Sequence, residues 1–421
     1  DSCYNVKSNY TSSAFRSYDV WYANYKWIAN VNYIIDAEPE MAGTEADVAY
    51  VAGQAYAIRA LCYLNLATWF SRAPYNSLTG ASRWNEPCVP VYTTGTSIDT
   101  GGQPRESLRT VYGRIDQDID RAIELLEKAR ETTLAENNKS HINLYVALGI
   151  KSRACLAEGD WDGAFKAAKR VIDEGGYAVG TKSDLTGGMN SLDKQNVMWG
   201  AGIQVADQAG GYAGFFTHMD NKEGAYAKSA PKLISKQLYN RISATDIRRD
   251  WWDPSDKESP YVSKKFSFAN VASFLGDYIY MRVEEMYFTA AEAALRLDDL
   301  KSARELMNTV MAERDPGYSA NNRSGTLLGA TTTTWTGSFL ENILTHRRIE
   351  LWGEYGRLFD VRRLGQGIDR RTDDGFSEEC ISMMNRRNVN ITKADTYDWV
   401  LTIPKAELDA NPNINEEDQN P

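Results

Sequence analysis

Two stretches of this chain, 139 positions apart, repeat one plan, and that repetition limits the fold more than any other feature. In ALGIKSRACLAEGDWDGAFKAAKRVI an apolar run at helical spacing stops at Gly159-Asp160-Trp161 and a second run begins. In YFTAAEAALRLDDLKSARELMNTVM the stop falls at Asp298-Asp299-Leu300. Aligning Asp160 on Asp299 also brings Trp161 onto Leu300, Ala164 onto Ala303 and Ser152 onto Ala291. Small residues before the turn let two helices touch, and a bulky one just after it closes the pair, as in tetratricopeptide-type hairpins. The copies are too far apart for a tandem array of about 34-residue repeats, so other chain is inserted between them.

Further helices flank the two copies. In SYDVWYANYKWIANVNYIID, Trp21, Tyr25, Ile28, Val31, Asn32 and Ile35 recur at three- and four-residue steps and predict one buried helix face. A third hairpin is expected from helices over 54–70 and 107–129, joined by a connection rich in Pro, Gly, Thr and aromatics. Between about 175 and 275 the sequence turns Gly-rich, aromatic and poorly periodic. The expected fold is therefore mainly α: a scaffold of helical hairpins carrying an irregular, loop-rich lobe with few short strands.

Several functions are starved of parts. The net charge of -10 lacks the basic footprint that nucleic acid or an anionic membrane surface requires. No apolar run approaches the roughly 20 residues of a membrane-spanning helix. Five scattered cysteines form no C-x-x-C pair, and only His141, His218 and His346 are available for a metal site or a Ser-His-Asp triad. No cofactor is expected. The chain opens on Asp1 without a Met or a signal-peptide pattern, which suggests that a preceding segment has been removed.

Two acidic pairs could be catalytic. Glu350 and Glu354 lie in ILTHRRIELWGEYGRLFDVRRLGQG, read as one helix whose arginines and acids border an apolar face; ion pairs that fix packing are the favoured reading, since nothing local supplies a cleft. Asp253 and Asp256 in WWDPSD stand beside tryptophans, as acids of a glycosidase might, but an Asx-type turn around Pro254 explains them without substrate.

Taken in order, these blocks resemble the SusD/RagB family over nearly the whole chain. The most specific are Arg282, Glu284 or Glu285, Tyr287 and Ala291-Glu292-Ala293; the R-R-x-E-L stretch with Phe359, Asp360, Arg362 and Arg363 after it; and the Ile403-Pro404 and Gln419-Asn420-Pro421 ending. The resemblance implies a non-enzymatic surface lipoprotein of the Bacteroidetes outer membrane. Such a protein binds glycans, or in some branches peptides, and sits on a SusC-type TonB-dependent transporter. A glycoside hydrolase is the weaker alternative. It implies an N-terminal lipid anchor outside this chain, Cys3 being poorly placed for it, and the family's usual Gly-Tyr after the last Pro is missing.

As domains, the expectation is one unit over 1–421. Its scaffold spans about 17–175 and 276–365, its ligand-binding lobe about 176–275 plus inserted loops 71–106 and 315–337, and 366–421 packs on the scaffold. Ligand residues lie outside the shared motifs, so they are chosen by chemistry: rings that stack on the apolar faces of sugars, with polar groups at their edges. In loop-like surroundings these are Tyr10, Trp84 with Asn85, Tyr226, Trp251 and Trp252 with Asp253, and Trp335.

Overall fold

The structure is a computed structural model that describes residues 13, 15–132, 134, 138–207, 214–369, 396–397 and 400–421. It is mainly helical. α1 (Phe15–Ala37) and α2 (Glu45–Phe70) pack together, and α2 pairs along its length with α3 (Leu108–Lys128). Thr44 and Ser107 cap α2 and α3 by accepting from the amides of Asp47 and Thr110. The seam between α2 and α3 also holds an ion pair, in which Arg59 grips Asp118 at 2.7 Å through both Nε and Nη2.

The two sequence copies fold as expected. The first is α4 (Leu144–Glu158) and α5 (Trp161–Glu174). After four short helices, α6 (Lys182–Thr186), α7 (Phe215–Met219), α8 (Ala225–Ser229) and α9 (Lys236–Tyr239), the second is α10 (Val283–Arg296) and α11 (Leu300–Ala312). Asp160 accepts from the amide of Gly163 at 3.0 Å, and Asp299 accepts from that of Ser302 at 3.0 Å, so both aspartates are N-caps of the same geometry. The residue before each has positive φ, 78° at Gly159 and 61° at Asp298. The left-handed step that glycine takes freely is taken in the second copy by Asp, one of the few residues that tolerates it. Ser152 and Ala291 are both fully buried.

Although far apart in sequence, the copies stack directly. α5 packs on α10, and the Arg296 guanidinium lies 4.9 Å from the ring centre of Trp161. The intervening chain is thereby looped out of the stack. It contributes β1 (Val197–Ala201), β2 (Trp252–Asp253), β3 (Val262–Ser263) and β4 (Tyr278–Arg282), with β1 antiparallel to β4 and β2 to β3. A second, smaller apolar core lies beneath it, made of Phe216, Leu238, Ile242, Trp251, Trp252, Phe266 and Phe268.

One expectation fails here. The stretch 343–367 is two helices, α12 (Phe339–Glu350) and α13 (Arg357–Leu364), separated by a turn in which Gly353 has φ 76° and Gly356 φ 111°. Only glycine adopts such angles without strain, so the helical periodicity of the flanking residues cannot run through. After α14 (Lys405–Ala410) the chain ends against α2, where the Asn420 amide donates to the carbonyls of Phe70 at 2.9 Å and Leu401 at 2.8 Å.

Candidate functional site

The break between α12 and α13 forms one edge of a cavity of about 420 Å³ between scaffold and lobe. The scaffold contributes Leu61 and Asn65 from α2 and Arg153 from α4. The lobe contributes Met189, Phe215, Phe266, Trp199 of β1 and Tyr278, Ile279 and Tyr280 of β4, and the turn itself Gly353, Glu354 and Tyr355. Its volume suits a small ligand, and its lining is rich in aromatic rings, from Trp199, Phe215, Phe266, Tyr278, Tyr280 and Tyr355. Trp199 and Tyr280 meet edge to face, ring centres 5.0 Å apart. The β1–β4 ladder is irregular on both sides of Trp199, the kind of defect that re-aims a side chain, and Tyr280 is 40% exposed, so its ring is reachable from solvent.

The charges around this cavity are held in place. Arg153 binds the Glu285 carboxylate with Nε at 2.8 Å and Nη2 at 2.7 Å, and Nη2 also donates to the Tyr280 carbonyl at 3.0 Å. Its guanidinium carbon lies 4.0 Å from the ring centre of Tyr355. Glu354 accepts from Lys265 at 2.5 Å and from Arg282 Nε and Nη2, each at 2.8 Å. Burial alone would push this carboxyl up, but Arg282 and Lys265 more than reverse that and keep it below its ordinary value. Burial likewise drives the Lys265 ammonium down to about 8 against the pull of Glu354.

Behind Glu354, Glu350 accepts from Arg282, Arg314 and Arg248 at 2.9–3.1 Å. Desolvation opposes its charge, yet Arg314, Arg282 and Arg248 hold it well below the usual carboxylate range. The turn thus supplies the cleft that the sequence did not reveal, but its acids are pinned anions. A general acid needs a proton near neutral pH, which neither carboxylate has. The structural reading of this charged stretch therefore holds, for a different reason: opposed arginines, rather than the lack of a cleft. Among the described residues no group of three or more His, Cys, Asp or Glu is placed to hold a metal ion.

None of the sequence-predicted ligand residues that the structure describes lines this cavity. Tyr10 lies outside the described residues. Trp84 is half-buried, edge-on to Tyr112 at 5.7 Å and 5.8 Å from the Arg109 guanidinium, with Asn85 exposed beside it. Tyr226 is 45% exposed and stacks flat on His218 at 4.6 Å. Trp335 is half-buried under the Arg241 guanidinium at 3.9 Å.

Trp251 and Trp252 are 2% and 1% exposed, so the loop-like WWDPSD stretch puts its rings in the second core. Trp251 donates from Nε1 to the Leu185 carbonyl at 2.8 Å, and Trp252 packs edge to face on Trp352. Asp253 accepts from the amide and hydroxyl of Ser255, and Asp256 from the amides of Glu258 and Ser259, the Asx turns expected of them.

The residues missed are Trp199, Phe215, Tyr278, Tyr280 and Tyr355. Alternation in VMWGA and YIYMR was the available signal, but each strand is only five residues long and pairs with a partner far away in sequence.

Comparison with known proteins bears directly on this arrangement. The model of the SusD family matches residues 221–421, and a second, described as starch-binding associating with outer membrane, matches 2–156. The chain belongs to the SusD family. A SusD-like carbohydrate binding protein from Bacteroides vulgatus shares 26% identity with it at a TM-score of 0.74, covering 95% of this chain and 83% of its own.

A second B. vulgatus structure, described as a putative sugar binding protein, superposes with a TM-score of 0.72 at 24% identity over 96% and 85% of the two chains. Surface glycan-binding protein A from Bacteroides uniformis does so at 0.64 and 18% over 96% and 84%. These last two testify to the fold alone. A search of curated proteins finds no match. SusD membership also explains the motif residues: Arg282, Glu284, Glu285, Glu292, Asp360 and Arg363 are all buried and ion-paired, which makes them scaffold. Family and neighbours are described by what they bind, in agreement with the expectation of a non-enzyme.

Proposed function

We propose that this SusD-family chain binds a glycan, without altering it, in the cavity between scaffold and lobe. It does so on the outer-membrane surface and passes the glycan to a SusC-type TonB-dependent transporter. The observation that carries the reading is the pairing of Trp199 and Tyr280 at the mouth of a cavity walled by aromatic rings. Sugars offer apolar C–H faces to such rings and hydroxyls to the polar groups between them. The family description, with its starch binding and outer-membrane association, and the carbohydrate-binding description of the B. vulgatus neighbour support it.

Isothermal titration against a panel of oligosaccharides tests it. At least one is expected to bind, with unchanged sugar recovered afterwards, and Trp199→Ala should weaken that binding at least tenfold. Released product would restore an enzymatic reading. Silence across the panel, with binding to peptides, would move the chain to the peptide-binding branch. Transporter pairing is tested by co-purification from outer membranes with a TonB-dependent receptor.

A further inference from the structure

One polar group in the cavity wall is left over. Arg153 is 2% exposed, and its Nε and Nη2 are taken by Glu285 and the Tyr280 carbonyl, but Nη1 makes no hydrogen bond to any described residue. Nη1 is not one of the buried unpartnered atoms of the described residues: it keeps an accessible surface in a side chain that lines the cavity, so an incoming acceptor can reach it. The ring of Tyr355 at 4.0 Å and the two-pronged grip on Glu285 fix the group rigidly. It is preorganised for whatever enters.

The charge behind it is also unbalanced. From Arg153 the ion pairs run to Glu285, on to Arg347 at 3.4 Å, to Asp360 at 2.9 Å, to Arg363 at 2.7 Å, to Glu292 at 2.8 Å and to Arg296 at 3.8 Å. Arginine stands at both ends of this alternating chain, so one positive charge has no counterpart within it. The remaining acid of the wall, Glu354, is held by both Lys265 and Arg282 and does not offset that charge. That excess is shared along the whole chain of ion pairs, whose far end at Arg296 has Nε and Nη2 without hydrogen-bond partners among the described residues. At the near end Arg153 brings part of it to the cavity wall, where it favours an anion over a neutral group. The phenols of Tyr280 and Tyr355, neither bonded to another described residue, can add donors for the same oxygens.

We propose that the sugar unit received in this cavity carries a carboxylate, and that Arg153 Nη1 anchors it. The inference rests on the glycan-binding reading above and narrows its ligand to acidic saccharides. The unit is a uronic-acid type of sugar whose ring lies against Trp199 and Tyr280 while its carboxylate faces the guanidinium.

The test is titration of the full chain with oligogalacturonate, oligomannuronate and glucuronate-containing disaccharides. Each is run beside the same compound with its carboxyl reduced to a primary alcohol. At least one acid is expected to bind, its reduced form tenfold or more weakly, with the acid's affinity falling as salt rises and the alcohol's staying flat. Because Arg153 also holds Glu285, Arg153→Lys can cost folding. The acid-against-alcohol comparison on the unaltered chain is therefore decisive, and Trp199→Ala shows whether the cavity is the site. Reduced forms binding as tightly as acids, no acid binding, or acid binding that survives Trp199→Ala would each overturn the proposal. If neutral oligosaccharides still bind and lose affinity in Trp199→Ala, the glycan-binding reading stands while this one falls; if no saccharide of either kind binds, both fall.

Discussion

Trp251 and Trp252, and Trp199 and Tyr280, come from equally irregular sequence, yet one pair is enclosed in a core and the other faces open space. The first pair is enclosed by Leu185, Lys265 and Trp352, with the indole of Trp251 hydrogen-bonded inside. The second sits on a distorted two-stranded ladder at the seam where lobe and scaffold do not fill the gap between them. A ring in a loop-like stretch is a ligand platform only where the neighbouring element leaves room. That room is a property of how distant segments meet.

The largest effect should come from the enclosed pair. Trp252→Ala removes a fully buried indole and is expected to cost about 3–5 kcal/mol of stability by denaturant unfolding. Any glycan affinity should be unchanged in the fraction that stays folded; a change in affinity without loss of stability would erase the distinction between the pairs. Trp199→Ala should do the reverse. Binding should fall by about 1–3 kcal/mol on the scale of aromatic anchors, with thermal stability nearly that of the unaltered chain.

The scaffold seam between α3 and α4 offers a smaller, pH-dependent contrast with the balanced charges around Glu354. Burial, then the nearby Asp116 and Asp160, push the Glu158 carboxyl up to about 9, with only Lys151 opposing. A carboxyl whose folded pKa is raised contributes its full stability below its unfolded value of 4.5. That contribution is lost as pH rises from there toward 9. Glu158→Gln should therefore stabilise the protein by about 1–2 kcal/mol at pH 8 and have little effect at pH 4, read from melting curves at both. The smallest effect is expected at Tyr226, whose exposed ring, among the described residues, stacks only on His218. Tyr226→Ala should shift stability by no more than about 0.5 kcal/mol and leave glycan affinity intact.

The hairpins were legible because their signals are local. Asp160 and Asp299 each cap the helix that follows them, and the small residues Ser152 and Ala291 recur at a fixed offset within the same helical pair. The face of α1 that packs inward was legible for the same reason, with Trp21, Ile28 and Val31 buried at helical spacing. The cavity was not, because every wall comes from a different part of the chain. Trp199 is placed by β4, Arg153 by Glu285, and Tyr355 by a turn that two glycines impose on an otherwise helix-like stretch. Periodicity reports which face of one element is buried; it says nothing of a gap between two.

The most direct test of the cavity as the ligand site is a crystal structure of this chain with a saccharide that binds it in solution. The account predicts sugar density within van der Waals contact of Trp199 and Tyr280, with an oxygen of the ligand at hydrogen-bond distance from Arg153 Nη1. Density on Tyr226, Trp84 or Trp335 with the cavity unoccupied would contradict it.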